Sequence, residues 1–355
     1  VIFVHDTPAQ RVLFGHGRAG THLADEVVRL GAARVMVIAT RAHPEVIGSI
    51  PVVVHHTDVA PHVPVDVADH ARTIASENSV DLLVCIGGGS ATGLAKAVAL
   101  TSGIPIVAVP TTYAGSEATD VWGLTEAGRK TTGVDRRVLP TSVIYDSALS
   151  VELPLELTVA SGLNALAHCV DSLWGPRADP INASTAVTGI RALDAGLPAV
   201  VADADDRIGR DEMLLGAYLS AVAFASAGSG LHHKICHVLG GAYDLPHAQT
   251  HAVILPHVLA FNAPTAPDAA RMIAAAFGTE SADHGLARLR ERVGAPTSLL
   301  PYGFDATMIP DAVARILPVV PESNPRPVTA SDLTTILTAA STGDVPTAHP
   351  LEGRT

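Results

Sequence analysis

Cysteine is scarce in this chain of 355 residues: only Cys85, Cys169 and Cys236, each in an apolar or helical context. Three scattered thiols exclude a disulfide framework and point to a reducing, cytoplasmic compartment. Basic charge is also short. Lys and Arg number 23 against 35 Asp and Glu, a formal charge of −12, which argues against nucleic acid as a partner, because counterion release needs clustered cations. An anionic small molecule is not excluded, since a pocket can be locally positive in an acidic protein. No basic stretch followed by an apolar run opens the sequence, so no secretory signal is expected. Internal repeats and low-complexity tracts are missing too. One uncharged window, Met213 to Leu231, has the length of a membrane span. Its Ala, Gly and Ser content and its histidine-rich end read as a buried helix of a soluble core, with no membrane partner.

Hydrophobic residues are plentiful, at 48%, and histidine is abundant, at 17. A chain of this length can bury a sizeable core and is expected to form two domains. The first 150 residues alternate β-branched runs with amphipathic stretches. Expected strands are Arg11–Phe14, Arg34–Ala39, Val52–His55, Asp81–Ile86, Ile104–Val109 and Ser142–Tyr145. Helical patterns at His22–Leu30, Val67–Glu77 and Ser90–Thr101 lie between them. That alternation predicts an α/β domain, residues 1–153, with a doubly wound, mostly parallel sheet. After Leu153-Pro154 the strand signals stop, and residues 154–355 read as an all-α domain rich in Ala and Leu.

In the first half, the run Asp81-Leu-Leu-Val-Cys-Ile-Gly-Gly-Gly-Ser90 takes a buried strand through three glycines into a helix. Gly87, Gly88, Gly89 and Ser90 would let backbone N–H groups approach a pyrophosphate at a positive dipole end. A Gly triplet alone is equally a tight turn, and this one is not the Gly-x-Gly-x-x-Gly fingerprint. A second loop shifts the balance. The strand Ile104–Val109 ends in Pro110-Thr-Thr-Tyr-Ala-Gly-Ser-Glu117, placing Thr111, Thr112 and Ser116 where open α/β sheets bind ligands. The strand Arg34–Ala39 ends in Thr40-Arg41, where strictly NAD-binding enzymes carry an acid for the ribose 2′-hydroxyl. Thr40 leaves room for a 2′-phosphate, so the expected cofactor is NADH or NADPH.

The second half carries the histidines. Asn164 and His168 stand four apart on a helical pattern, as do His233 and His237, with His247 following after a turn. That spacing suits metal ligation or acid–base chemistry. His232, His251 and His257 are read as structural.

Gly87-Gly-Gly-Ser90, Pro110-Thr-Thr112, Asn164…His168 and His233…His237…His247 together resemble the iron-containing alcohol dehydrogenase family, in its order and spacing, over nearly the whole chain. The resemblance implies a dehydroquinate synthase-like fold: a nucleotide-binding α/β domain, a helical catalytic domain, an active site in the cleft between them, and a homodimer. In the metal-binding members one Asp and three His hold a divalent cation. The matching positions here are Asn164, His168, His233 and His247. Asn164 replaces the single anionic ligand with a neutral amide, which binds Fe²⁺ or Zn²⁺ weakly. Gly93 stands where metal-dependent relatives carry an acid. No metal is therefore expected.

Further motifs, Trp122-Gly-Leu-Thr125, Lys130-Thr-Thr-Gly133, Leu231-His-His-Lys234 and Asp244-Leu-Pro-His247, resemble the metal-free subgroup. Its activity is reduction of the conjugated carbon–carbon double bond of maleylacetate to give 3-oxoadipate, in aromatic-compound breakdown. Such a reaction spreads charge into an enolate that a hydrogen-bond donor can stabilise without a Lewis acid. His237 and His247 are then the donor and proton relay, and His168 and His233 shape the pocket. For a dicarboxylate substrate, Arg129, Lys130 and Lys234 are the candidate cations, with Asn164 and Tyr243 as further substrate contacts. A metal-dependent alcohol or polyol dehydrogenase of the same fold is the alternative, and a carbocycle-forming lyase a more distant one.

Overall fold

The computed structural model describes residues 2–126 and 129–344, with the side chains of Arg129 and Lys130 outside that description. Its contacts divide the chain into two compact units. One is Thr7–Leu153 with Asp205–Leu214; the other is Val1–Asp6, Pro154–Ala204 and Leu215–Thr355. The divide at Leu153/Pro154 is the one read from the sequence. Two segments change sides: the first residues join the helical unit, and a ten-residue stretch beyond Ala204 joins the α/β unit. Neither exchange has a signature in local pattern, because each depends on long-range packing.

The α/β unit is built on six parallel strands, β1 (Arg11–Phe14), β2 (Val35–Ile38), β3 (Val52–His56), β4 (Leu82–Gly87), β5 (Ile106–Pro110) and β8 (Ser142–Tyr145). Their order across the sheet is β1-β8-β5-β4-β2-β3. Strands β2, β4 and β5 are nearly continuous apolar runs, as strands covered on both faces must be. Helices α1 (Ala19–Leu30), α2 (Pro44–Ile47), α3 (Val65–Glu77) and α4 (Gly89–Ser102) supply the cover. One face packs Leu23, Val27 and Val46 on Val37, Val84 and Val109. The other packs Ala71, Leu94 and Val98 on Met36, Leu83 and Ile106. An antiparallel pair, β6 (Val121–Glu126) and β7 (Arg129–Val134), was not expected from the sequence.

The helical unit contains α5 (Leu155–Ser172), α6 (Pro180–Ala202), most of α7 (Arg207–Ala227), α8 (Leu231–Tyr243), α9 (His247–Asn262), α10 (Pro267–Phe277), α11 (Ala282–Arg292), α12 (Ile309–Ile316) and α13 (Ala330–Thr342). α5 is the central element, buried from Thr158 to Ser172 and packed on α6 and α9. Leu239, Val253, Phe261, Ile316 and Ile336 join α8, α9, α12 and α13 in one core. Within the described residues, α6 alone is long and apolar enough to cross a membrane; half of its apolar window is buried, and it packs on α5 and α10. The uncharged window from Met213 is not one helix. It spans the end of α7 and a break before α8, where the axis bends by 99°.

Candidate active site

The nucleotide-binding candidates sit at the carboxyl ends of β4 and β5. These strands are paired so that Gly87 lies opposite Pro110, and the N–H of Thr111 donates to the carbonyl of Gly87 at 3.0 Å. Gly87 adopts φ +150°, which a side chain would strain, and a Cβ on Gly88 would lie 2.8 Å from Thr112 Cγ2. The two loops touch at Gly88 because that position lacks a side chain. α4 opens behind them at Gly88 with no side-chain cap, so its first N–H groups and its positive dipole end remain available to an anion. Gly89 is exposed, and Ser90, Thr111, Thr112 and Ser116 are half-buried around it.

Sequence reasoning missed the residue that holds this loop. Lys96, on α4, is buried, and its Nζ donates to the carbonyls of Ser116 (2.6 Å), Thr119 (2.8 Å) and Val121 (2.8 Å) and to Thr119 Oγ1 (3.0 Å). Burial pulls its pKa down to about 8, against the opposing pull of Glu117. Thr40 is exposed beyond β2, and the neighbouring Arg41 is already paired with Glu152 at 2.6 Å. Gly93 has a local reason: a Cβ there would meet Val63 Cγ2 at 2.8 Å, so an acid would require Val63 to move.

In the helical unit, α5, α8 and α9 bring six imidazoles together. His168 stacks on His233 with ring centroids 4.8 Å apart and planes 17° apart, and Phe224 of α7 closes on both, at 4.7 and 4.2 Å. His237 and His247 are near-parallel at 6.4 Å. His251 lies among them, 4.3 Å from His247, 4.7 Å from His233, 4.9 Å from His232 and 6.3 Å from His237. His232 and His251, read as structural, are buried and packed among these rings. His257 stays outside these ring contacts, and burial pushes it down to about 4.

Burial holds the inner rings neutral. It drives His168 down to about 3 and His232 to about 4, while His233 and His251 fall well below the ordinary range, with neighbouring imidazoles adding to the effect. His237 and His247 are exposed, so the cluster has a dry interior and a wet edge. Asn164 is buried one helical turn before His168, and among the described residues its Oδ1 makes no hydrogen bond; neither do His168 Nδ1 and His233 Nε2.

A second residue missed from the sequence completes the group. Asp171, three residues after His168 on α5, is fully buried and accepts the Nδ1–H of His233 at 2.7 Å and its backbone N–H at 3.2 Å. The backbone N–H groups of Gly230 and His232 and the indole of Trp174 also donate to it. Burial pushes its pKa up to about 7, against the pull of those donors. A Cβ on Gly230 would come within 2.5 Å of Asp171 Oδ1, so the glycine makes this approach possible.

The donor set at the four family metal positions is wholly neutral: one amide and three imidazoles. It lacks the anionic ligand that compensates a divalent iron, so the residues present do not fit the iron-type centre. Among the substrate contacts, Lys234 is half-buried on α8. The hydroxyl of Tyr243 donates to Asp311 Oδ2 at 2.6 Å, and its ring packs against Phe304, which ties it to α12. The side chains of Arg129 and Lys130 lie outside the described residues.

Comparison with known proteins converges on one family. A family model for iron-containing alcohol dehydrogenase matches residues 9–147, and one for the C-terminal part of the Fe-containing alcohol dehydrogenase family matches residues 158–341. Maleylacetate reductase of Burkholderia cepacia is 43% identical over 348 residues, covering 96% of this chain and 98% of that protein. A crystal structure of an iron-containing alcohol dehydrogenase from Corynebacterium glutamicum superposes with a TM-score of 0.95 at 58% identity, covering 98% and 99% of the two chains. That of maleylacetate reductase from Agrobacterium tumefaciens gives 0.91 at 36% identity, covering 98% and 100%. The fold agrees with these likenesses: the chain is an oxidoreductase that belongs to the iron-containing alcohol dehydrogenase family.

Proposed function

We propose that this oxidoreductase reduces the conjugated carbon–carbon double bond of maleylacetate to give 3-oxoadipate, with NADH or NADPH and without a bound metal. The observation that carries the reading is Asn164, a buried neutral amide where metal-dependent members carry a carboxylate, beside imidazoles kept neutral by burial. The maleylacetate reductases at about 40% identity over nearly the full length support the substrate.

The start of α4, with Gly87, Gly88, Gly89 and Ser90, is suited to hold the pyrophosphate, and Thr111, Thr112 and Ser116 the adjoining polar groups. Reduced nicotinamide, when bound, supplies the hydride. The substrate accepts it at the alkene carbon distal to the ketone, and the electron pair moves onto the ketone oxygen as an enolate. His237 and His247, at the wet edge, donate to that oxygen and deliver a proton to the carbon next to the ketone. Solvent then reprotonates them. His168 and His233, buried and stacked, present a rigid wall, and Asn164 offers an amide to the substrate. Lys234 supplies positive charge for a substrate carboxylate.

Thr40 leaves room for a 2′-phosphate, so both reduced cofactors are accepted. Three free, buried cysteines suit a reducing cytoplasm, and the resemblance adds a homodimer. The direct test is incubation with maleylacetate and either cofactor, with product identification. One cofactor oxidised per 3-oxoadipate formed supports the proposal; no oxidation rejects it. A metal-dependent alcohol or polyol dehydrogenase would instead oxidise alcohols in a chelator-sensitive way.

A further inference from the structure

We propose that Asp171 is a positioning residue that fixes the tautomer of His233, holding the proton on Nδ1 so that Nε2 presents only a lone pair to the rings around it. The consequence for turnover rests on the reductase reading above; the tautomer does not.

The geometry leaves little freedom. Asp171 lies on α5 and His233 in the first turn of α8, 62 residues apart, and the carboxylate meets Nδ1 at 2.7 Å with both side chains buried. Among the described residues, the other groups that bond the carboxylate are donors: the backbone N–H groups of Gly230, His232 and His233, and the indole N–H of Trp174. A site surrounded by donors selects an acceptor-only carboxylate, and such a carboxylate demands that the imidazole nitrogen facing it carry the hydrogen. The ring cannot rotate to evade this, because His168 and Phe224 pack on it at 4.8 and 4.2 Å. Nε2, at the opposite corner, is buried and makes no hydrogen bond within the described residues.

Two roles therefore coincide in one carboxylate. It accepts the N–H groups at the start of α8, where Gly230 provides no side-chain cap. It also makes His233 a proton acceptor while neutral, never a donor. The ring of His237, whose centroid is 6.0 Å away, therefore faces an imidazole whose Nε2 can accept a hydrogen bond but not donate one. Carboxylate partners of this type orient metal-bound imidazoles, where their loss costs about 10–100-fold, and a loss on the same scale is expected for this hydrogen bond.

The experiment is long-range ¹H–¹⁵N spectroscopy of protein labelled at histidine, at pH 8, with His233→Gln used to assign the His233 signals. Wild type is expected to show the Nδ1–H tautomer, and finding Nε2–H there overturns the proposal. Asp171→Leu removes the acceptor and should move His233 to Nε2–H, lowering kcat with maleylacetate about 10–100-fold while the cofactor KM stays unchanged. Asp171→Glu, which keeps a carboxylate, should retain Nδ1–H and a kcat closer to wild type. A leucine variant with unchanged tautomer or unchanged kcat contradicts the inference. If Asp171→Leu does not fold, the wild-type tautomer still decides. Failure of wild type to reduce maleylacetate would reject the substrate reading and leave the tautomer result standing.

Discussion

His237 and His247 face each other with ring centroids 6.4 Å apart and planes only 21° apart, although one lies in the middle of α8 and the other opens α9. Both are exposed, whereas His232, His233 and His251 behind them are buried. Exposed imidazoles can exchange protons with solvent; buried neutral ones cannot do so cheaply.

Removing the exposed pair should therefore damage the chemical step. His237→Ala and His247→Ala are each expected to lower kcat by about 10²–10⁴-fold, the range for a lost general acid. Binding of NADH, followed by fluorescence titration, should be unchanged. If both variants turn over like wild type, the proton-transfer roles belong elsewhere.

Asn164 should control metal binding. Asn164→Asp rebuilds the carboxylate and three-imidazole set of the metal-dependent members, so the purified variant should retain stoichiometric Zn²⁺ or Fe²⁺ after dialysis. Wild type treated identically should retain none. Metal analysis of the two proteins gives the answer, and equal metal content would contradict the role assigned to the amide.

Arg41 and Glu152 should set part of the cofactor preference. Both side chains are largely exposed, and their 2.6 Å contact diverts Arg41 from an incoming phosphate. Glu152→Gln should lower the KM for NADPH relative to NADH by up to about fivefold, since an exposed pair contributes at most about 1 kcal/mol. Paired steady-state assays measure the ratio; an unchanged ratio removes Arg41 from cofactor recognition.

Acid should weaken the fold well above the usual carboxylate range. His168 titrates at about 3 and His232 and His257 at about 4 in the folded state, with His233 and His251 shifted the same way. Free histidine titrates near 6.5. As pH falls from about 6.5 to 4, the unfolded chain binds protons at these five positions that the folded chain refuses, so stability drops. Asp171, Glu117, Asp194 and Asp283 have raised folded values and act with the opposite sign, offsetting part of the loss. The loss is on the order of 1.4 kcal/mol per pH unit for each uncompensated imidazole. Urea unfolding at pH 7 and pH 5 measures it; equal midpoints would show that the rings are not held neutral.

Much of this was legible in the sequence, for reasons that can be named. Strands β1 and β8 match their expected limits, and β4 was displaced by one residue, because apolar runs bounded by turn residues report burial directly. The β6–β7 hairpin escaped because Trp122-Gly-Leu-Thr125 is short, only half-buried and interrupted by a glycine. Among the site residues, i,i+4 spacing brought out Asn164, His168, His233 and His237. Asp171, Lys96 and His251 did not stand out. An acid or a lysine in an apolar helix looks like an exception until its distant partners are known, and those of Asp171 lie up to 62 residues away. His251 sits in α9, a helix with almost no polar face, so periodicity could not show which side meets the cluster.

The most direct test of the metal-free claim is the rate of maleylacetate reduction after exhaustive chelation, with residual metal quantified in the same sample. Turnover should be the same before and after chelation, with metal far below one atom per chain. Loss of activity that Fe²⁺ or Zn²⁺ restores would contradict it.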